Sequence, residues 1–197
     1  MSKNQKSVDQ TKKTSILITV GFIAVVVLII TGLILYNVLG RGTDNNIDTN
    51  TPTDRMLVNS EESAKNFTVK DLEGKKARLS DFNKKPVVMY FWVSWSEPCI
   101  DNLAVYQKAY DKYKDNVNFL IINTKDDTQT VKKYTTEKGY TFPCFIDDEK
   151  DAASAYGISS LPSVVMTDKS GKIHYQNIGT LNEDSLFSFI DGLIDKK

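Results

Sequence analysis

The segment Pro86-Val87-Val88-Met89-Tyr90-Phe91-Trp92-Val93, running directly into Ser94-Trp95-Ser96-Glu97-Pro98-Cys99, decides how the rest of the chain is read. Its first part is β-prone and wholly apolar, the composition of a central strand covered on both faces. Leu103, Tyr106, Tyr110 and Tyr113 then recur at helical spacing, and Val117 to Asn123 supplies a second buried strand. The result is a strand–helix–strand unit with Ser96 to Cys99 at the junction.

Downstream, the pattern predicts a helix around Thr130 to Lys138, a strand at Thr141 to Ile146 and a short helix at Lys150 to Tyr156. Two strands, Ser163 to Thr167 and Lys172 to Ile178, are joined by Asp168-Lys169-Ser170-Gly171, and a helix from Asn182 to Ile194 closes the chain. Alternating elements imply an α/β sandwich, and the tight connection between the last two strands gives its sheet a mixed character with an antiparallel edge. Upstream, Phe67, Val69 and Leu72 lead through Glu73-Gly74 to Ala77, Leu79 and Phe82, which predicts an N-terminal β-hairpin.

Before the hairpin the composition changes twice. Residues 40–63 are rich in Thr, Asn, Asp and Ser, with Pro52 and few apolar side chains, and read as a flexible linker. Residues 16–39 are almost wholly apolar and free of charge, long enough for a transmembrane helix, since about 20 such residues cross a hydrocarbon core of roughly 30 Å. A cleaved signal peptide would carry a shorter apolar region and a small-residue cleavage site, where this run ends in Leu35-Tyr36-Asn37-Val38-Leu39. Lys3, Lys6, Lys12 and Lys13 precede the span, so residues 1–15 form a cytoplasmic tail and residues 64–197 lie on the extracytoplasmic side of the cell membrane.

In this 197-residue chain Lys plus Arg equals Asp plus Glu at 25 each, so no overall field points to nucleic acid. Two cysteines, Cys99 and Cys144, and one histidine, His174, are too few for a disulfide scaffold or a structural zinc site. No metal or cofactor is expected.

On Phe91-Trp92-Val93-Ser94-Trp95 leading into Ser96-Glu97-Pro98-Cys99, on Phe142-Pro143 followed by Asp147, and on Leu161-Pro162-Ser163, the sequence resembles the thioredoxin-like family. The resemblance is to its membrane-tethered TlpA/ResA-type branch of thiol-disulfide oxidoreductases, and it covers about residues 64 to 197. It implies a three-layer sandwich, a cis Pro162, and a substrate groove at Trp95, Pro98, Leu161 and Pro162. It also implies envelope proteins bearing thiols or disulfides, and a membrane thiol carrier, as partners. The family's motif begins with an attacking cysteine, a thiolate stabilised at a helix N-terminus. Here Ser96 takes that place, and a hydroxyl forms no disulfide, so a two-thiol cycle cannot run at this motif.

Ser96 also has a plain role as helix N-cap, with Pro98 suited to the first turn. Cys99 corresponds to the resolving cysteine. It is either an inert buried thiol or, because Ser96 is small, a reachable one capable of monothiol exchange. Glu97 either tunes that thiol or simply complements the helix dipole. Cys144 alternates with Phe142 and Ile146 and reads as core, and a Cys99–Cys144 disulfide would need Cα atoms within about 7 Å. His174 reads as an edge-strand histidine. Two functions from different classes remain, a monothiol oxidoreductase relative and a redox-inactive module that binds extended peptide. A peroxidase reading meets only Ser96 and Cys99 of its signature, since Trp92 stands where a proline is needed and no arginine follows Arg78.

Overall fold

The computed structural model describes Thr31 and residues 62–82 and 84–195. The expected cytoplasmic tail, the expected transmembrane segment apart from Thr31 and most of the expected linker lie outside the described residues. Among the described residues no helix is long and apolar enough to cross a membrane.

Seven strands form one mixed sheet: β1 (Thr68–Asp71), β2 (Lys76–Arg78), β3 (Val87–Trp92), β4 (Asn118–Asn123), β5 (Cys144–Ile146), β6 (Ser163–Thr167) and β7 (Ile173–Ile178). Their order is β2-β1-β5-β4-β3-β6-β7. β3 pairs in parallel with β4, and β4 with β5, while β6 runs antiparallel to both β3 and β7. The expected hairpin is not a separate appendage. β1 bonds to β5 through Lys70↔Ile146 and Asp71↔Phe145, so the hairpin extends the main sheet. The strand expected from Thr141 starts only at Cys144, because Pro143 has no N–H for the ladder and offers only its carbonyl, to Ile121 N at 3.2 Å.

The apolar run of β3 feeds two cores. Val88, Tyr90 and Trp92 join one cluster with residues of helices α1 (Glu97–Tyr113), α2 (Thr128–Lys138) and α4 (Glu183–Ile194). Val87, Met89 and Phe91 join another with Phe67, Val69, Leu79 and the short helix α3 (Asp151–Ala155). Period-two alternation explains both, since a strand covered on each face needs apolar side chains at every position. Cys144 lies with Phe142 and Ile146 in the first cluster, as their alternation predicts.

Local chemistry ends the helices where they end. Asp127 and Asn182 cap α2 and α4 through Thr130 N and Ser185 N, both at 2.8 Å, and Gly139 closes α2 in the left-handed region. Asp147, buried at the end of β5, accepts from Ala152 N and Ala153 N and so starts α3; burial raises its pKa against these bonds. Just ahead of residue 64, Ser63 bridges Lys172 and Glu62 O accepts from Ile173 N at 3.1 Å.

Candidate functional site

β3 delivers the chain to the motif, and β6 brings a loop beside it. Phe91 pairs with Ser163, so the peptide bond Leu161–Pro162, which is cis as the resemblance implies, stands next to the residues that follow Trp92. Among the described residues no hydrogen bond takes up the main-chain N–H or C=O of Leu161. Trp95 is 68% exposed, with Lys125 Nζ 5.8 Å from its ring centroid, and Glu97 and Pro98 are also exposed. The groove residues Trp95, Pro98, Leu161 and Pro162 therefore share one end of the sheet.

Ser96 occupies the N-cap position of α1, but its side chain makes no capping bond. The reason is local. A capping oxygen bonds the N–H of the second or third helical residue. The second is Pro98, which has none, and the third is Cys99, whose N–H already donates to Ser96 O at 2.9 Å. The hydroxyl is thus left half-buried and unused at the mouth of the motif.

Cys99 has no accessible surface. Of the two readings of this thiol, buried or reachable past the small Ser96, the structure shows it buried, because the first turn of α1 folds Cys99 inward among Tyr90, Leu103 and Tyr106. Tyr90 stacks on Tyr106 at 4.0 Å and donates its hydroxyl to Cys99 O at 3.0 Å; burial, and then the neighbouring Cys99, raise its pKa. Cys144 is a separate buried thiol, pushed up to about 12 by burial, and both cysteines are free. Arg78 lies in β2 at the far edge of the sheet, so it supplies no cation to a peroxidatic thiolate. His174 Nε2 is 2.7 Å from Asp168 Oδ2 in the β6–β7 hairpin, which satisfies it away from the motif.

Three residues that hold this geometry were not anticipated. Asp126 Oδ2 accepts from Ser94 N and from Asn123 Nδ2, each at 2.7 Å, and Asn123 Oδ1 accepts from Lys125 N and Asp126 N. Asn123-x-x-Asp126 at a strand end is an Asx-turn signal that could have revealed them. Asn102, on the buried face of α1, donates to Leu181 O at 2.7 Å and accepts from Leu181 N at 3.1 Å. A polar residue among Cys99, Leu103 and Tyr106 on an apolar helix face was the visible sign. Among the described residues no acidic, cysteine and histidine cluster could hold a metal ion.

The chain is similar to several known proteins. The thiol-disulfide oxidoreductase ResA of Geobacillus thermodenitrificans is 30% identical over 142 residues, 72% of this chain and 82% of that protein. ResA of Bacillus anthracis is 34% identical over 138 residues, 70% of this chain and 79% of its own length. Among solved structures, StoA from Bacillus subtilis superposes with a TM-score of 0.57 at 24% identity, covering 64% of this chain and 96% of that one. The thioredoxin domain of a thiol-disulfide oxidoreductase from Bacteroides vulgatus gives 0.62 at 25% identity, covering 69% and 98%. Fold and relatives together define the class, a thioredoxin-like protein of the thiol-disulfide oxidoreductase kind. The chain belongs to the AhpC/TSA family, whose profile matches residues 61–176.

Proposed function

We propose that this protein is a membrane-anchored, extracytoplasmic relative of ResA in which Ser96 replaces the attacking cysteine, and that it works by holding an extended segment of a partner protein. The observation that carries the reading is that Cys99 is fully buried while Trp95, Glu97 and Pro98 of the same motif are exposed. With the attacking thiol absent and the remaining thiol enclosed, exchange has no nucleophile at the surface. The recognition surface is intact: the Trp95 ring, the unused Ser96 hydroxyl and the open main chain of Leu161 offer stacking and hydrogen bonds without covalent chemistry. The bilayer enters through residues 16–39, which tether the groove to the outer membrane face. Candidate occupants are envelope proteins bearing thiols or disulfides.

Two assays on the full-length chain in detergent test this. In insulin reduction by dithiothreitol, wild type gives no acceleration and Ser96→Cys gives a clear one. Binding of a reduced, unfolded polypeptide survives Cys99→Ala and is lost with Trp95→Ala. Acceleration by wild type that disappears in Cys99→Ala would instead make the protein a monothiol enzyme.

A further inference from the structure

We infer that the cavity at the start of β3, at the opposite end of the sheet from the motif, is a binding site for a phosphate ester of a small polyol, met either free in solution or as the headgroup of an anionic phospholipid. The inference stands apart from the groove proposed above and uses none of its residues.

Three chain segments build the cavity. Ser63 bridges Lys172 and Ala64 N donates to Gly171 O at 2.7 Å, which brings residues 63–66 to one side of it. The single-turn helix Leu79–Phe82 forms a second wall, tied to the first where Asn66 Oδ1 accepts from Ser80 N at 3.0 Å. The β6–β7 hairpin forms the third with Asp168, Lys169 and Ser170. The enclosed volume is about 230 Å³. That is below the roughly 300–1,000 Å³ of pockets that take drug-sized ligands, so the occupant is small. From Val87, on the cavity, to Trp92 is five steps of β3, roughly 17 Å at about 3.3 Å each, so the site is distinct from the groove.

The floor holds a polar group with nothing to bond. Thr167 pairs with Val87, and alternation turns its side chain to the face of Val87 and Val165 rather than that of Val164 and Met166. It is 1% exposed and lines the cavity, and among the described residues its hydroxyl has no hydrogen-bond partner. A buried hydroxyl without a partner is costly, and a ligand oxygen at this place would satisfy it.

The rim sets the charge. Lys85 and Lys169 are exposed, line the cavity and make no ion pair among the described residues. Asp168 is the acid of the lining, and its oxygens are already taken. Oδ1 accepts from Ser170 N, Lys172 N and the Ser170 hydroxyl, while Oδ2 is 2.7 Å from His174 Nε2. Two ammonium groups, the Thr167 and Ser80 hydroxyls and Asn66 Nδ2 thus converge on one space as donors. No arginine lines it, so the planar fork that matches a carboxylate is missing, whereas lysines serve a tetrahedral phosphate as point charges. Leu79, Phe82 and Val87 supply a short apolar wall and Ser63 and Ser80 hydroxyls beside it, which suits a short, hydroxylated carbon part. The expected linker joins the domain at this cavity, which makes a phospholipid headgroup one source of the ligand and a free ester the other.

The test follows the amide resonances of Thr167 and Gly171 by NMR in the isotope-labelled full chain, held in a non-ionic detergent. Glycerol phosphate should shift both signals saturably, and glycerol and acetate should not. Phosphatidylglycerol added to the micelles should do the same where phosphatidylcholine does not. A response to glycerol phosphate shows that the free ester suffices, and a response to phosphatidylglycerol alone assigns the site to a lipid headgroup. Lys85→Gln combined with Lys169→Gln, both at exposed positions, should weaken binding by about tenfold or more, and Thr167→Val by about threefold or more. High salt should weaken binding by wild type. Trp95→Ala should bind like wild type, because the groove lies at the other end of the sheet. Shifts with neither phosphate probe, equal shifts with glycerol or acetate, or an unchanged affinity in the double lysine variant overturn the inference and leave the groove reading standing.

Discussion

Asp126 Oδ2 sits 2.7 Å from Ser94 N, so the loop after β4 holds the loop that carries Trp95. The same oxygen accepts from Asn123 Nδ2, so the side chain joins two strand ends at the site. Asp126→Ala leaves two partly buried donors without a partner, at a cost of about 1–3 kcal/mol. Urea denaturation should report that loss, and acrylamide should quench Trp95 fluorescence more readily. Asp126→Asn, which keeps one acceptor, should lie between the two.

Asn102 grips both main-chain groups of Leu181 from a buried position on α1, linking the motif helix to the turn before α4. Asn102→Leu should destabilise the fold by about 2–3 kcal/mol, because a buried N–H and C=O both lose their partner. Thermal melts of the variant and wild type check this.

These two bonds mark where the sequence was readable and where it was not. The strands, helices and sheet character followed from periodicity, because Val87 to Trp92 and Leu103 to Tyr113 obey the patterns burial imposes. The cis Pro162 followed only from resemblance. For Cys99 the sequence left burial and accessibility open as alternatives. The choice between them depends on how the first turn of α1 leans onto Tyr90 and Tyr106, a tertiary fact that spacing does not encode. The Ser96 cap failed for a reason that was in the sequence, since Pro98 removes one donor.

Burial pushes the Asp168 carboxyl up, but hydrogen bonds from the Ser170 hydroxyl, the His174 ring and the Lys172 and Ser170 N–H groups prevail and hold it well below its ordinary 3.8. A carboxyl with a lowered folded pKa stabilises the chain above its unfolded value and loses that contribution as pH falls towards the folded one. Asp168→Ala should therefore cost about 1–2 kcal/mol at neutral pH. Its stability should fall less steeply than that of wild type below about pH 4. Urea midpoints across the acid range measure both.

The proposed function turns on whether Cys99 can be reached. The most direct measurement is the rate of iodoacetamide alkylation at neutral pH of the full-length Cys144→Ala chain, in which Cys99 is the remaining thiol. The structure predicts no labelling of the native protein and complete labelling once denaturant unfolds the domain. Prompt labelling of the native chain would contradict it and restore monothiol exchange as the function.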